Sequence, residues 1–149
     1  MNQPENINSR VMAGIVLVMT LFFAAACDRG APRIGIEGVQ AQMSPLISGS
    51  ATVSLLIENT GNSADSLERA FVDVPGSLTE LHAYEDGKMQ AAKRIDIPAG
   101  KAVHLKLTAD HIMIYKLPPD IKEGTQRTLT LVFKKTGQVK TPLLFSIAR

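Results

Sequence analysis

From Ala51 onward, apolar residues recur at every second position. Val53, Leu55 and Ile57 alternate with Thr52, Ser54 and Leu56. Val103, Leu105 and Leu107 alternate with Ala102, His104 and Lys106. Leu129, Leu131 and Phe133 alternate with Thr128, Thr130 and Val132. A period of two belongs to the extended strand, whose successive side chains point to opposite faces. It predicts strands with one face buried and one turned outward. Turn chemistry separates the runs: Asn59-Thr60-Gly61-Asn62, Pro75-Gly76, Glu85-Asp86-Gly87, Pro98-Ala99-Gly100, Glu123-Gly124 and Thr136-Gly137. Short strands broken this regularly predict an all-β antiparallel sandwich or barrel. No stretch beyond Ala51 carries a helical stripe, and nothing repeats at solenoid spacing.

Ahead of this region the pattern changes. Val11 to Ala26 are sixteen uncharged, mostly apolar residues preceded by Arg10. A membrane-spanning helix needs roughly 20 such residues, so sixteen suits the core of a signal peptide. The run ends in Ala24-Ala25-Ala26-Cys27, which looks like a bacterial lipobox with Ala24 in the position usually held by Leu. On that reading residues 1–26 are removed and Cys27, the single cysteine, is lipidated. The alternatives are an ordinary signal cleaved at Ala-x-Ala and an uncleaved anchor. Asp28 resembles an inner-membrane retention signal of enteric-type bacteria. Residues 27–50 are rich in Gly and Pro and read as a lipidated tether and lead-in segment with one early strand, Arg33 to Val39. The β domain is expected over 51–149.

Composition narrows the function. The chain has 149 residues, 16 basic and 14 acidic, with a net charge of +2. Loss of residues 1–26 removes Glu5 and Arg10 and leaves that balance unchanged. Nucleic-acid binding is not expected, because no basic block is large enough to track phosphates and aromatic residues are only 5%. One Cys excludes an internal disulfide framework and a multi-cysteine zinc site. The sequence has no P-loop, GxGxxG, GxSxG or HExxH, and Glu85-Asp86 before Gly87 reads as a solvated hairpin tip. An enzyme is not expected.

What remains is His and Met. His111-Ile112-Met113 puts an imidazole and a thioether on one strand face, since residues two apart share a side. His82 lies before the Glu-Asp-Gly turn and Met89 just after it, so a hairpin brings them near each other. Two imidazoles and two thioethers suit Cu(I), because thioethers bind a soft ion well and harder divalent ions poorly. Met also resists oxidation better than a Cys thiolate does. Each residue also has an ordinary role open to it, Met as core filler and His as a solvated side chain. His104 alternates with Val103 and Leu105 and reads as surface. Met43 reads as packing or disorder.

At these residues the chain resembles the PCu(A)C family of periplasmic copper chaperones, over about residues 51–147. Gln90 to Asp110, twenty-one residues, separate Met89 from His111, and His-x-Met follows, as in the family pattern. Leu56-Ile57-Glu58-Asn59-Thr60-Gly61, Asp65 with Leu67, Thr79-Glu80-Leu81-His82, Ile97-Pro98-Ala99-Gly100, Lys122-Glu123-Gly124 and Leu129-Thr130-Leu131-Val132-Phe133 also match. The departures are six residues between His82 and Met89 where the family has about ten, Thr108-Ala109-Asp110 where it often has glycines, and Tyr115 where it often has Met. The resemblance implies a cupredoxin-like Greek-key β-barrel that holds one Cu(I) per chain at His82, Met89, His111 and Met113. It implies a monomer on the periplasmic side of the envelope, passing the ion toward the copper centre of cytochrome c oxidase or a Sco-type partner. Two other readings stand beside it. One is an envelope lipoprotein scaffold with a degenerate metal site. The other is a metalloenzyme, disfavoured because hydrolytic zinc wants His or carboxylate ligands and an open water position.

Overall fold

A computed structural model describes residues 30–147, and among these every regular element is a strand. The expected signal peptide and the expected lipidation site, Cys27, lie outside the described residues. Ten strands follow in order: β1 (Ile34–Met43), β2 (Ala51–Asn59), β3 (Asp65–Val72), β4 (Leu78–Glu85), β5 (Lys88–Ala92), β6 (Ile95–Ile97), β7 (Lys101–Leu105), β8 (His111–Tyr115), β9 (Gln126–Phe133) and β10 (Gly137–Ile147). They form one sheet in the order β5-β4-β8-β2-β1-β10-β9-β3-β6, with β7 also paired to β2. The Thr79 hydroxyl of β4 donates to the Ala70 carbonyl of β3. The two ends of the sheet thus approach each other, and the sheet curls into a nearly closed barrel.

The inward residues are those the alternation marks. Val53, Leu55 and Ile57 of β2 and Leu129, Leu131 and Phe133 of β9 are buried, and they pack with Leu67, Leu81, Ile97, Leu105, Ile112, Ile114, Leu143 and Phe145. The alternation in β7 stops early. The strand ends at Leu105, and Leu107 is exposed. Lys106 N–H donates to Asp110 O at 2.8 Å and Ala109 N–H to Lys106 O at 2.9 Å, so the chain turns there instead of continuing flat.

Two expectations change. The early strand is longer than Arg33–Val39, and it lies in the middle of the sheet between β2 and β10. The tether reading of 27–50 therefore does not hold for β1, and the folded domain begins well before Ala51. Gly38, at φ 62°, does not end the strand; it sits in a register shift between Glu37 and Gln40, where a bulge takes up the positive φ. The sheet is also not wholly antiparallel, because β1 runs parallel to β10 from Gln40↔Leu144 to Met43↔Ile147. The first and last strands meet there.

The turn at 59–62 shows how the domain's start is fastened. Asn59 Oδ1 accepts from Arg33 N–H at 3.1 Å and Gly61 N–H at 3.0 Å, and its amide donates to Ser63 O at 2.9 Å and Pro98 O at 3.3 Å. One buried side chain thereby joins the residue just before β1, the turn and the loop before β7.

Candidate metal centre

Register brings the four predicted residues to one face. His82 on β4 lies directly opposite His111 on β8, and Glu80 lies opposite Met113. Directly opposed residues share a face, as do residues two apart on a strand. His82, His111 and Met113 are therefore co-facial. On the other side of β4, Tyr84 opposes Met89 and His82 opposes Ala91. Met89 belongs to the same face, as the diagonal neighbour of His82 and not its direct partner. Leu81, Ala83, Ile112 and Ile114 point the other way, into the core.

The hairpin that carries Met89 is tighter than its sequence position suggests. β4 runs three residues past His82 to Glu85, and only Asp86 and Gly87 form the turn. Their φ angles are 50° and 77°, the left-handed pair required by a two-residue type I′ hairpin, for which Asp-Gly is a preferred pair. The short His82–Met89 spacing thus makes a regular hairpin with its ends in register. Glu85 and Asp86 are exposed at the tip, as expected.

The two imidazoles are 5.3 Å apart between ring centroids and tilted by 50°. Each has one nitrogen engaged. His111 Nδ1 is 2.8 Å from the Ala109 carbonyl oxygen. A carbonyl only accepts, so Nδ1 carries the proton and Nε2 keeps its lone pair. His82 Nε2 is 3.3 Å from Glu80 Oε2. An ionised carboxylate also only accepts, so here Nδ1 is the nitrogen left as donor to a metal. A ligand imidazole held through its other nitrogen in this way is the usual outer-shell arrangement.

Burial divides the four. His111 is 4% exposed and Met113 8%, on β8 between β4 and β2. The Thr52 hydroxyl of β2 donates to Met113 Sδ at 3.2 Å. His82 and Met89 are half-buried on the outer hairpin. The face around them carries apolar surface, with Leu78 and Tyr84 exposed on β4. Tyr115 continues the line of His111 and Met113, and its hydroxyl pKa is raised by burial and by the Glu80 carboxylate. Among the described residues no three His, Cys, Asp or Glu side chains cluster closely enough to hold a metal.

Residues read as bystanders are placed apart. His104 is exposed on β7 opposite Leu56. Met43 packs against the core and lines, with Pro45, Leu117, Ile121 and Ile147, a cleft of about 400 Å³ that includes none of the four. Sequence reasoning missed Thr52, Glu80 and the Ala109 carbonyl. Glu80 had a signal, since it lies two before His82 on a strand. Thr52 had none, since its place beside Met113 follows from the pairing of β2 with β8.

The model of the family described as "Putative lipoprotein LpqE-like" matches residues 34–143. None of the proteins with curated descriptions matches the sequence. Solved structures are similar in fold. The apo PCuAC domain from PmoF1 superposes with a TM-score of 0.67 at 18% identity, covering 78% of this chain and 98% of that one. The copper-bound PCuAC domain from PmoF2 gives 0.64 at 18%, covering 78% and 97%. The Cu(I) form of DR1885 from Deinococcus radiodurans gives 0.62 at 16%, covering 87% and 85%. At such identities the likeness establishes the fold, which is the all-β, cupredoxin-like barrel of PCuAC domains.

Proposed function

The chain belongs to the LpqE-like family, and from that premise we propose that it is a copper chaperone of the cell envelope. It binds one Cu(I) through His82, Met89, His111 and Met113 and transfers it without catalysing a reaction. The observation that carries the reading is the co-facial set. Two imidazoles, each with one nitrogen tied back and the other free, stand beside two thioethers on the β5-β4-β8 face. Such donors favour a soft monovalent ion over zinc, magnesium or calcium. None is a thiolate or a carboxylate, and half of the set sits on an outer hairpin, which suits an ion that must be given up again. The copper-bound PmoF2 domain and Cu(I)-DR1885 share the fold and support the same reading.

The destination proposed is the copper centre of cytochrome c oxidase, reached directly or through a Sco-type partner. The chaperone works as a monomer on the periplasmic side, held by lipid at Cys27 in the inner membrane. The family's lipoprotein description supports the anchor. The test is native mass spectrometry of the mature domain after anaerobic loading with Cu(I) and, separately, Zn(II). One copper per chain and no retained zinc is the expected result. A chain that retains no copper overturns the proposal in favour of a protein-binding scaffold.

A further inference from the structure

Met113 is held at its sulfur by a residue outside the His/Met pattern. Thr52 on β2 is the direct cross-strand partner of Met113 on β8, so the two side chains share the outer face. Both are buried, and the Thr52 hydroxyl donates to Met113 Sδ at 3.2 Å. A buried hydroxyl needs a partner, and here it takes a weak acceptor, a thioether.

A thioether sulfur has two lone pairs. The hydroxyl engages one and leaves the other for a metal. Met has three rotatable side-chain torsions and adapts to whatever space it is given. Fixing its sulfur in the folded protein moves the entropic cost of ordering it from metal binding to folding. Among the described residues, Met89 has no such hydrogen bond. The β8 half of the site, with His111 held by Ala109 O, is thus pre-organised at both donor atoms, and the hairpin half is less so.

We infer that Thr52 is a positioning residue for copper, which holds the Met113 thioether ready to bind the ion. The inference rests on Met113 being a copper ligand, so Met113→Leu is measured alongside. The variants are Thr52→Val, which removes the hydroxyl, and Thr52→Ser, which keeps it. The readouts are Cu(I) affinity by competition titration, sulfur coordination number at copper by X-ray absorption, and the thermal midpoint of the metal-free protein. Thr52→Val should weaken Cu(I) binding on the order of tenfold, as loss of an outer-shell partner does. The sulfur count should fall below that of wild type, and Thr52→Ser should restore both. If Thr52→Val does not fold, Thr52→Ala against Thr52→Ser isolates the hydroxyl. Wild-type affinity and sulfur count in the hydroxyl-free variant overturn the inference. Wild-type affinity in Met113→Leu overturns instead the ligand assignment beneath it.

Discussion

His82 and His111 stand directly opposite each other on β4 and β8, with ring centroids 5.3 Å apart. Twenty-eight residues of intervening chain, including two strands that pair elsewhere, separate them in sequence. Their proximity follows from the β4–β8 register, which also sets Glu80 opposite Met113. A one-residue slip would send either His to the other face, among Leu81 and Ile112 in the core.

The four candidate ligands should differ in cost. Met89→Leu and Met113→Leu nearly conserve volume, so the fold should survive while Cu(I) affinity falls. His111→Ala should cost more than either Met change, beyond the roughly 10- to 100-fold typical of losing an outer-shell partner, because it removes one of two nitrogen donors. Met113→Leu should also lower stability by about 1–3 kcal/mol, since it leaves the buried Thr52 hydroxyl without its acceptor. Met89→Leu should not. Competition titration and urea unfolding of the same variants check both statements. Wild-type copper affinity in both Met variants would sink the ligand assignment.

His104→Ala should leave copper stoichiometry and affinity unaltered. His104 lies on β7, exposed, opposite Leu56 at the far half of β2 from Thr52. A titration in which this variant binds copper more weakly than wild type contradicts that separation.

Asp65 should make the domain acid-sensitive. Burial raises its pKa, but hydrogen bonds from the Thr136 hydroxyl, the Lys135 and Thr136 backbone N–H groups and the Ser66 N–H outweigh burial and hold it below its ordinary 3.8. A carboxylate with a depressed folded pKa contributes stability that is present above the unfolded value. That stability is lost as pH falls through the folded value. Asp65→Ala should therefore cost about 3 kcal/mol at pH 7, because several donors lose a charged acceptor at once. Its unfolding free energy should fall less steeply with pH below about 4 than that of wild type. Urea melts at pH 7 and at pH 3 measure the difference; parallel pH profiles would contradict it.

Gly61→Ala should destabilise the domain by about 3 kcal/mol, the upper range for forced overpacking. A Cβ at this position would lie 2.2 Å from Ala31 O and 2.6 Å from Arg33 N, both backbone atoms that cannot swing aside. The clash falls where Asn59 holds Arg33 and Gly61 together. A variant with wild-type denaturant midpoint would show that residues 31–33 are free to move away.

What the sequence alone determined was local. Alternation marked the inward residues of β2 and β9, because a strand's period of two is imposed by backbone geometry at each residue. Asp86-Gly87 specified the hairpin, because the two left-handed φ angles of its turn favour those residue types. His-x-Met specified one shared face for the same reason. The type and spacing of the four candidate ligands, with the flanking motifs, were enough to point to the PCu(A)C copper chaperones. Tertiary structure decided everything that depends on which strands meet. The β4–β8 pairing set His82 against His111, the β2–β8 pairing supplied Thr52 to Met113, and the β1–β10 pairing drew the lead-in segment into the middle of the sheet. These are contacts between residues distant in the chain, and local patterning leaves them open. They are chosen when the strands bury their apolar faces together, and only then does a row of separate His and Met residues become one site.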